Sequence, residues 1–244
     1  MTGARRHTRQ RLAIAFACLI ATLSAVEIAS AAEITSAQYS LPTERYQHGI
    51  LGDTVEYGGL EIQLSDGQHL ALTLPKTHVF EDLTPRLWDV DLDGNPEIVV
   101  IETSLTKGAR LSIYDENGFV TATPYIGRSH RWLAPIGALD MDRDGYVEIA
   151  YIDRPHLAKT LKVWRFKNGK LVHVADQTGL TNHRIGWAHI PGGIRDCDGQ
   201  LEWITANSDW SRIIATSLKN DKPISRDLGK YIDLTGINDA LSCP

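Results

Sequence analysis

Four short turns recur along the chain at a near-constant beat, and a beat of this length leaves few folds open. Ser65-Asp66-Gly67, Glu116-Asn117-Gly118, Lys167-Asn168-Gly169 and Lys219-Asn220-Asp221 have their third positions at 67, 118, 169 and 221, spaced by 51, 51 and 52 residues. Each turn lies between two strand-like segments, as in Leu60 to Leu64 with His69 to Leu74, or Leu161 to Phe166 with Lys170 to Ala175. Asn-Gly and Asp-Gly supply the positive φ of a tight type I′ turn, so the pattern predicts hairpins. Upstream of the second, third and fourth hairpins an acidic loop leads into an apolar strand: Ile98 to Glu102, Ile149 to Asp153 and Trp203 to Ala206. No amphipathic helical stretch of useful length follows the first thirty residues. The unit is therefore about four short strands in ~51 residues, the length of one β-propeller blade.

The expected fold class is all-β, a β-propeller of about four blades. Seven such blades would need roughly 360 residues, and the chain has 244. The expected boundaries are a leader over 1–31, an N-terminal extension over 32–45 and the propeller over 46–244. Its blades cover 46–80 with 230–244, 81–126, 127–178 and 179–229. The first hairpin has no acidic loop before it and the last is followed by no further hairpin, as a circular permutation would leave them. The C-terminal segment is thus expected to supply the inner strand of the first blade. A partial propeller, a β-sandwich or a ring completed by a second copy in a homodimer are the alternatives.

The leader reads as a secretory signal. Arg5, Arg6, Arg9 and Arg11 precede a run without charge from Leu12 to Val26, and Ala29-Ser30-Ala31 is an A-x-A cleavage site. The run is shorter than the roughly 20 residues a bilayer span takes, so the mature chain is expected to lack a membrane span and to be extracytoplasmic, either periplasmic or secreted. Removing those arginines and Glu27 leaves 21 basic and 29 acidic side chains, a net charge of -8. Such a chain repels nucleic acid, which is not an expected partner. Cys18 leaves with the leader, and Cys197 and Cys243 are an even pair in an oxidising compartment, expected to form a disulfide. In the intact blades the acidic loop begins 22 residues after the preceding hairpin position, and the same step from Asp221 lands on Cys243. The bridge would then lock the ring closed.

The strongest chemical signal is a pair of acidic loops. Asp89, Asp91, Asp93 and Glu97 frame Gly94 in the first, and Asp140, Asp142, Asp144 and Glu148 frame Gly145 in the second. Three carboxylates alternate, glycine lets the chain turn around a point, and a fourth carboxylate closes the set. Calcium takes six to eight hard oxygen ligands, and the backbone carbonyls of Asn95 and Tyr146 at the seventh position would add to them. An EF-hand is the rival pattern, but its twelfth position here is Val100 or Tyr151, inside an apolar run. The third copy, with Asp196, Asp198 and Glu202, has lost its first carboxylate to Ile194 and gained Arg195, so it reads as a degenerate, metal-free turn.

The spacing D-x-D-x-D-G-x-x-E followed by an apolar strand, repeated at about fifty residues behind a signal peptide, resembles the FG-GAP or VCBS repeat of integrin α-chain propellers and secreted bacterial proteins. The resemblance covers roughly Phe80 to Leu218 and implies a propeller and calcium, with the ligand role falling on the eight carboxylates of the two intact loops. The Phe-Gly-Gly-Ala-Pro element is not spelled out; Ala134-Pro135-Ile136-Gly137 and Pro191-Gly192-Gly193 are its nearest echoes.

In a propeller the acidic loops and hairpins share one end and the blade-to-blade connections the other. The connections carry His130-Arg131-Trp132 and His183-Arg184 with Trp187, the His-Arg pairs lying 53 residues apart. They read either as a basic, aromatic rim for a protein or an anionic glycan, or as filling of the blade junctions. Trp164, Trp203 and Trp210 lie on or beside strands and read as core. The chain carries no G-x-S-x-G, H-E-x-x-H, G-x-G-x-x-G or P-loop, so no catalytic residue is assigned. A calcium-rigidified binding or scaffold module is the leading expectation. The alternatives are a hydrolase or lyase acting on an acidic polysaccharide, with His130, His183 and His189 as candidate acids and bases, or a purely structural repeat.

Overall fold

The computed structural model describes residues 32–243; the signal-peptide reading lies outside the described residues. The first sheet has eight strands: β1 (Ile34–Thr43), β2 (Glu56–Leu64), β3 (His69–Thr73), β4 (His78–Phe80), β5 (Arg86–Trp88), β6 (Glu97–Ser104), β7 (Gly108–Asp115) and β8 (Gly118–Ala122). The second is a meander of β9 (Leu133–Leu139), β10 (Glu148–Asp153), β11 (Thr160–Lys167) and β12 (Lys170–Thr178). The third holds β13 (Leu180–Thr181), β14 (Gly193–Cys197), β15 (Gln200–Asn207), β16 (Arg212–Lys219) and β17 (Lys222–Lys230), and a helix α1 (Leu234–Leu241) follows. The fold is all-β apart from that helix, with curled sheets and a half-barrel. Among the described residues no strand pairing joins the third sheet back to the first.

The four repeated turns all join hairpin strands: β2 to β3, β7 to β8, β11 to β12 and β16 to β17. The turn type splits them. Asn168 and Gly169, and likewise Asn220 and Asp221, both have positive φ, as a type I′ turn needs, whereas in the first two turns only Gly67 and Gly118 do.

Burial follows each strand's place. β6 and β10 are buried at every residue; β10 lies between the cores shared with the first and third sheets, and β6 between the second sheet and the curled-over β1 and β2 of its own. β12 and β17 sit at sheet edges and are mostly exposed. Leu111, Ile113, Leu133 and Ile149 belong to the core between the first and second sheets. Ile152, Val163 and Trp203 belong to the one between the second and third. Leu60 and Ile62 of β2 pack with Ile98 and Val100 of β6. Trp203 is wholly buried as expected, Trp164 is packed at the margin of the first core, and Trp210 is partly buried against the core under the helix, where it also meets Trp187 and Tyr231.

Two expectations fail at the chain ends. The C-terminal segment is a helix, not an inner strand: Asp233 caps the Thr235 N–H, and Ile237 and Ala240, three residues apart, bury one face against Ile204, Ile213 and Ala215. The segment read as an extension is strand β1, paired with β2 from Ile34↔Leu64 to Thr43↔Glu56. β1 thus fills the edge expected for the C-terminus. The Cys197–Cys243 bridge is present with sulfurs 2.00 Å apart, but it ties the end of α1 to β14 rather than closing a ring.

Candidate metal centres

The two intact acidic loops join β5 to β6 and β9 to β10, at the same sheet ends as the hairpin turns. Their backbones match. The fourth and sixth residues are left-handed in both, Leu92 (φ 65°) with Gly94 (φ 94°) and Arg143 (φ 62°) with Gly145 (φ 87°). The first aspartate holds that path: Asp89 accepts from the N–H groups of Leu92 (2.8 Å) and Gly94 (3.1 Å), and Asp140 from those of Asp144 (3.0 Å) and Gly145 (2.9 Å). The closing glutamate reaches back to the second residue, Glu97 to the Val90 N–H and Glu148 to the Met141 N–H, at 2.8 and 2.9 Å.

These bonds gather the ligand oxygens. In each of the sets Asp89, Asp91, Glu97 and Asp140, Asp142, Glu148, one oxygen per residue lies within 4.8 Å of the others. Asp93 and Asp144 stand outside these sets and cap the N–H groups of Asn95 and Tyr146. The Asn95 amide also donates to Asp93, and the Tyr146 ring lies 4.3 Å from the Lys167 ammonium. The donors are all carboxylate oxygens, the set a hard cation takes and a thiolate-seeking metal does not.

The two sets differ in what neutralises them. No basic side chain pairs with the first among the described residues, and burial, then Asp91, Asp93 and Asp89, pushes Glu97 up to about 7. Burial and the adjacent Asp93 likewise raise Asp91. In the second, the Arg165 guanidinium sits among the carboxylates: Nε meets Glu148 at 2.5 Å, Nη2 meets Asp142 at 2.9 Å and Asp221 at 3.0 Å, and Nη1 meets Asp144 at 3.4 Å. Register explains the difference, since Arg165 stands opposite Glu148, whereas the residue that follows Tyr114, the partner of Ile98 in the first sheet, is the acidic Asp115. The first set fits a divalent cation as it stands. At the second a cation competes with a guanidinium that already holds two of the three carboxylates.

The third copy has a different backbone. Its left-handed residues are the fifth and sixth, Asp198 (φ 55°) and Gly199 (φ 82°), which turn a two-residue hairpin from Cys197 to Gln200. Ile194 offers no oxygen to hold the longer path. Its side chain instead abuts Gly137 of β9, where a Cβ would come within 2.8 Å of Ile194 Cδ1. Glu202 is held by Arg195 (2.7 Å) and Arg226 (2.7 Å). The degenerate reading of this copy agrees with that geometry.

At the opposite sheet ends, the six rim residues separate. Trp132 is buried, its indole N–H donating to the Glu81 carbonyl at 2.9 Å, and His183 is wholly buried, its Nε2 2.9 Å from the Trp187 carbonyl and its Nδ1 3.3 Å from His156 Nε2. Both fill the junction. Arg184 lies 4.8 Å from the Trp210 ring and 5.5 Å from that of Trp187, on which His189 stacks at 4.7 Å. His130, itself left-handed (φ 53°), stacks on Tyr46 at 4.9 Å, beside Arg131. The sequence reading missed His48, Glu81, Arg154 and His156, which stand in no repeat; only the fold brings them to His130.

Burial holds the His183 imidazole down to about 4, with His156 adding to the effect. An imidazole lowered from 6.5 binds fewer protons folded than unfolded between those values, so stability falls as pH drops from 6.5 to 4, by up to about 3 kcal/mol. Urea unfolding at pH 7 and pH 4 should show that difference shrink in His183→Gln; an unchanged difference would assign the acid sensitivity elsewhere.

No curated protein matches the chain. A family model described as an FG-GAP-like repeat matches residues 89–151, which run from the first aspartate of the first acidic loop into the strand after the second, a narrower stretch than the sequence resemblance covered. That stretch of the chain is similar to an FG-GAP-like repeat.

Proposed function

We propose that the chain is an exported, calcium-binding module of propeller type, stiffened by the metal at one end and recognising a protein or anionic glycan at the other. The observation that carries this reading is the shared backbone of the two loops, which aims three carboxylates of each at one point. Calcium suits an all-oxygen set built on a flexible loop, where magnesium demands a tighter octahedron. The eight-stranded sheet divides at the single β2–β4 pair, Tyr57↔Phe80, so that β1–β3 make a first blade and β4–β8 a second. With the other two sheets the array counts four. The disulfide and the leader support an extracytoplasmic site of action.

Calcium at a hundredfold over its Kd should stabilise the folded protein by about 2.7 kcal/mol, which for a chain of this size is a rise in Tm of roughly 5–10 °C. Scanning calorimetry of chelator-treated protein with and without calcium tests it, with Asp91→Asn expected to abolish most of the rise. No rise in the parent protein would sink the calcium reading.

A further inference from the structure

Away from the acidic loops, a cavity of about 250 Å³ opens between connections from all three sheets. His48 from the β1–β2 connection, His130 and Arg131 from β8–β9, His156 and Leu157 from β10–β11 and Ile185 from β13–β14 line it. The Gly186 N–H bonds the Ile50 carbonyl at 3.0 Å, which pins two of these connections to each other. We propose that this cavity is a binding site for a small carboxylate with an apolar body, its anionic head gripped by Arg131 and His48.

The charges decide the class of ligand. Arg154, also on the wall, is neutralised by Asp153 through two bonds of 2.9 Å. Arg131 has no carboxylate partner among the described residues; its Nη1 donates to the His130 carbonyl at 2.6 Å. His48 Nδ1 is bound to the wholly buried Glu81, which also accepts from the Thr103 hydroxyl at 2.6 Å. Burial pushes Glu81 up to about 8, so at neutral pH the His48–Glu81 pair keeps a proton between its two members and carries no net charge. With Nδ1 engaged in that bond, His48 Nε2 is the ring nitrogen left to carry an N–H. His130 and His156 are likewise held neutral by burial. The wall therefore bears one net positive charge and suits a monoanion better than a dianion.

The lip decides the rest. Leu157 and Ile185 stand 62% and 69% exposed beside that charge, so a ligand with an apolar body covers them while its head meets Arg131. The volume is that of about eight waters, which admits a small molecule and not a chain. This site goes beyond the reading of this end as a face for a protein or an anionic glycan and stands independently of it.

Benzoate, benzyl alcohol and inorganic phosphate are the probes, added to the mature protein while the histidine ring protons are followed by NMR. Benzoate should shift the His48, His130 and His156 resonances saturably, with a Kd of about 1 mM for so small a ligand. Benzyl alcohol should not. Arg131→Gln should weaken benzoate about tenfold, and Ile185→Glu, at an exposed position that leaves folding intact, should weaken it too by setting a like charge at the lip. No saturable shift, equal binding of benzyl alcohol, phosphate binding tighter than benzoate, or full affinity in both variants would each overturn the proposal. The titration is run with calcium and after chelation. Benzoate bound without any calcium effect leaves this site standing and removes the calcium reading, and calcium bound without benzoate does the reverse.

Discussion

Replacing Arg165 with glutamine should tighten calcium binding at the second acidic loop relative to the first, and in chelator should cost about 3–5 kcal/mol of stability. Both effects come from one side chain. In the parent the guanidinium meets Glu148, Asp142, Asp144 and Asp221, and the three bonds to the first two and the last are 3.0 Å or shorter. Glu148 is wholly buried and Arg165 only 15% exposed. A cation entering the second loop competes with this charge, whereas among the described residues no basic side chain pairs with the first loop's carboxylates. The first loop therefore fills at lower calcium. Glutamine removes the competitor and leaves four carboxylates facing one another, which destabilises the metal-free protein and strengthens the pull on a divalent ion. Calorimetric titration reads the site count and urea unfolding in chelator reads the stability. Two equal sites in the parent would show that the guanidinium yields without resistance, and a variant still binding one ion would show that the second loop's geometry, not Arg165, is at fault.

What the sequence discloses and what it hides divide along the range of the interactions. The four hairpins and the strands after the acidic loops were legible because each depends on residues within a few positions, Asn168 and Gly169 at a turn or Asp89 capping Gly94. The acidic loops were legible for the same reason, since Asp, Gly and Glu hold the path by bonds to their own backbone. Arg165 was not, because it comes to Glu148 across a strand pair and to Asp221 from a neighbouring sheet. The cavity at the far end was half visible: His130 and Arg131 recur with the repeat, while His48 and Glu81 meet only once β1 and β4 are in place. The C-terminal helix was missed because its eight residues are too few to carry a clear 3.6-residue period, and such a segment forms only when a neighbour accepts its apolar face.

That helix bears on the third acidic copy, and the pair of substitutions Cys197→Ser and Cys243→Ser should expose the connection. The bridge closes a loop of 46 residues, and on the chain-entropy account its loss costs about 4 kcal/mol. The first effect should be local. With the tether gone, α1 is held by Ile237 and Ala240 on Ile204 and Ile213, and by Arg195, whose Nη1 donates to the Ala240 carbonyl at 2.6 Å at the helix end where a positive charge is favourable. Three of the positions where the third copy departs from the other two are therefore engaged elsewhere: Ile194 packs on Gly137, Arg195 docks the helix, and Cys197 binds it covalently. The third copy, without the longer loop path, seats a helical cap on the last sheet. Hydrogen exchange on the double variant should show α1 opening well before the sheets, with protection at β15 and β16 falling next as Ile204, Ile213 and Ala215 lose their cover. Loss of protection spread evenly over all three sheets would instead mean that the bridge stabilises the whole chain through its unfolded state and that the helix is no cap.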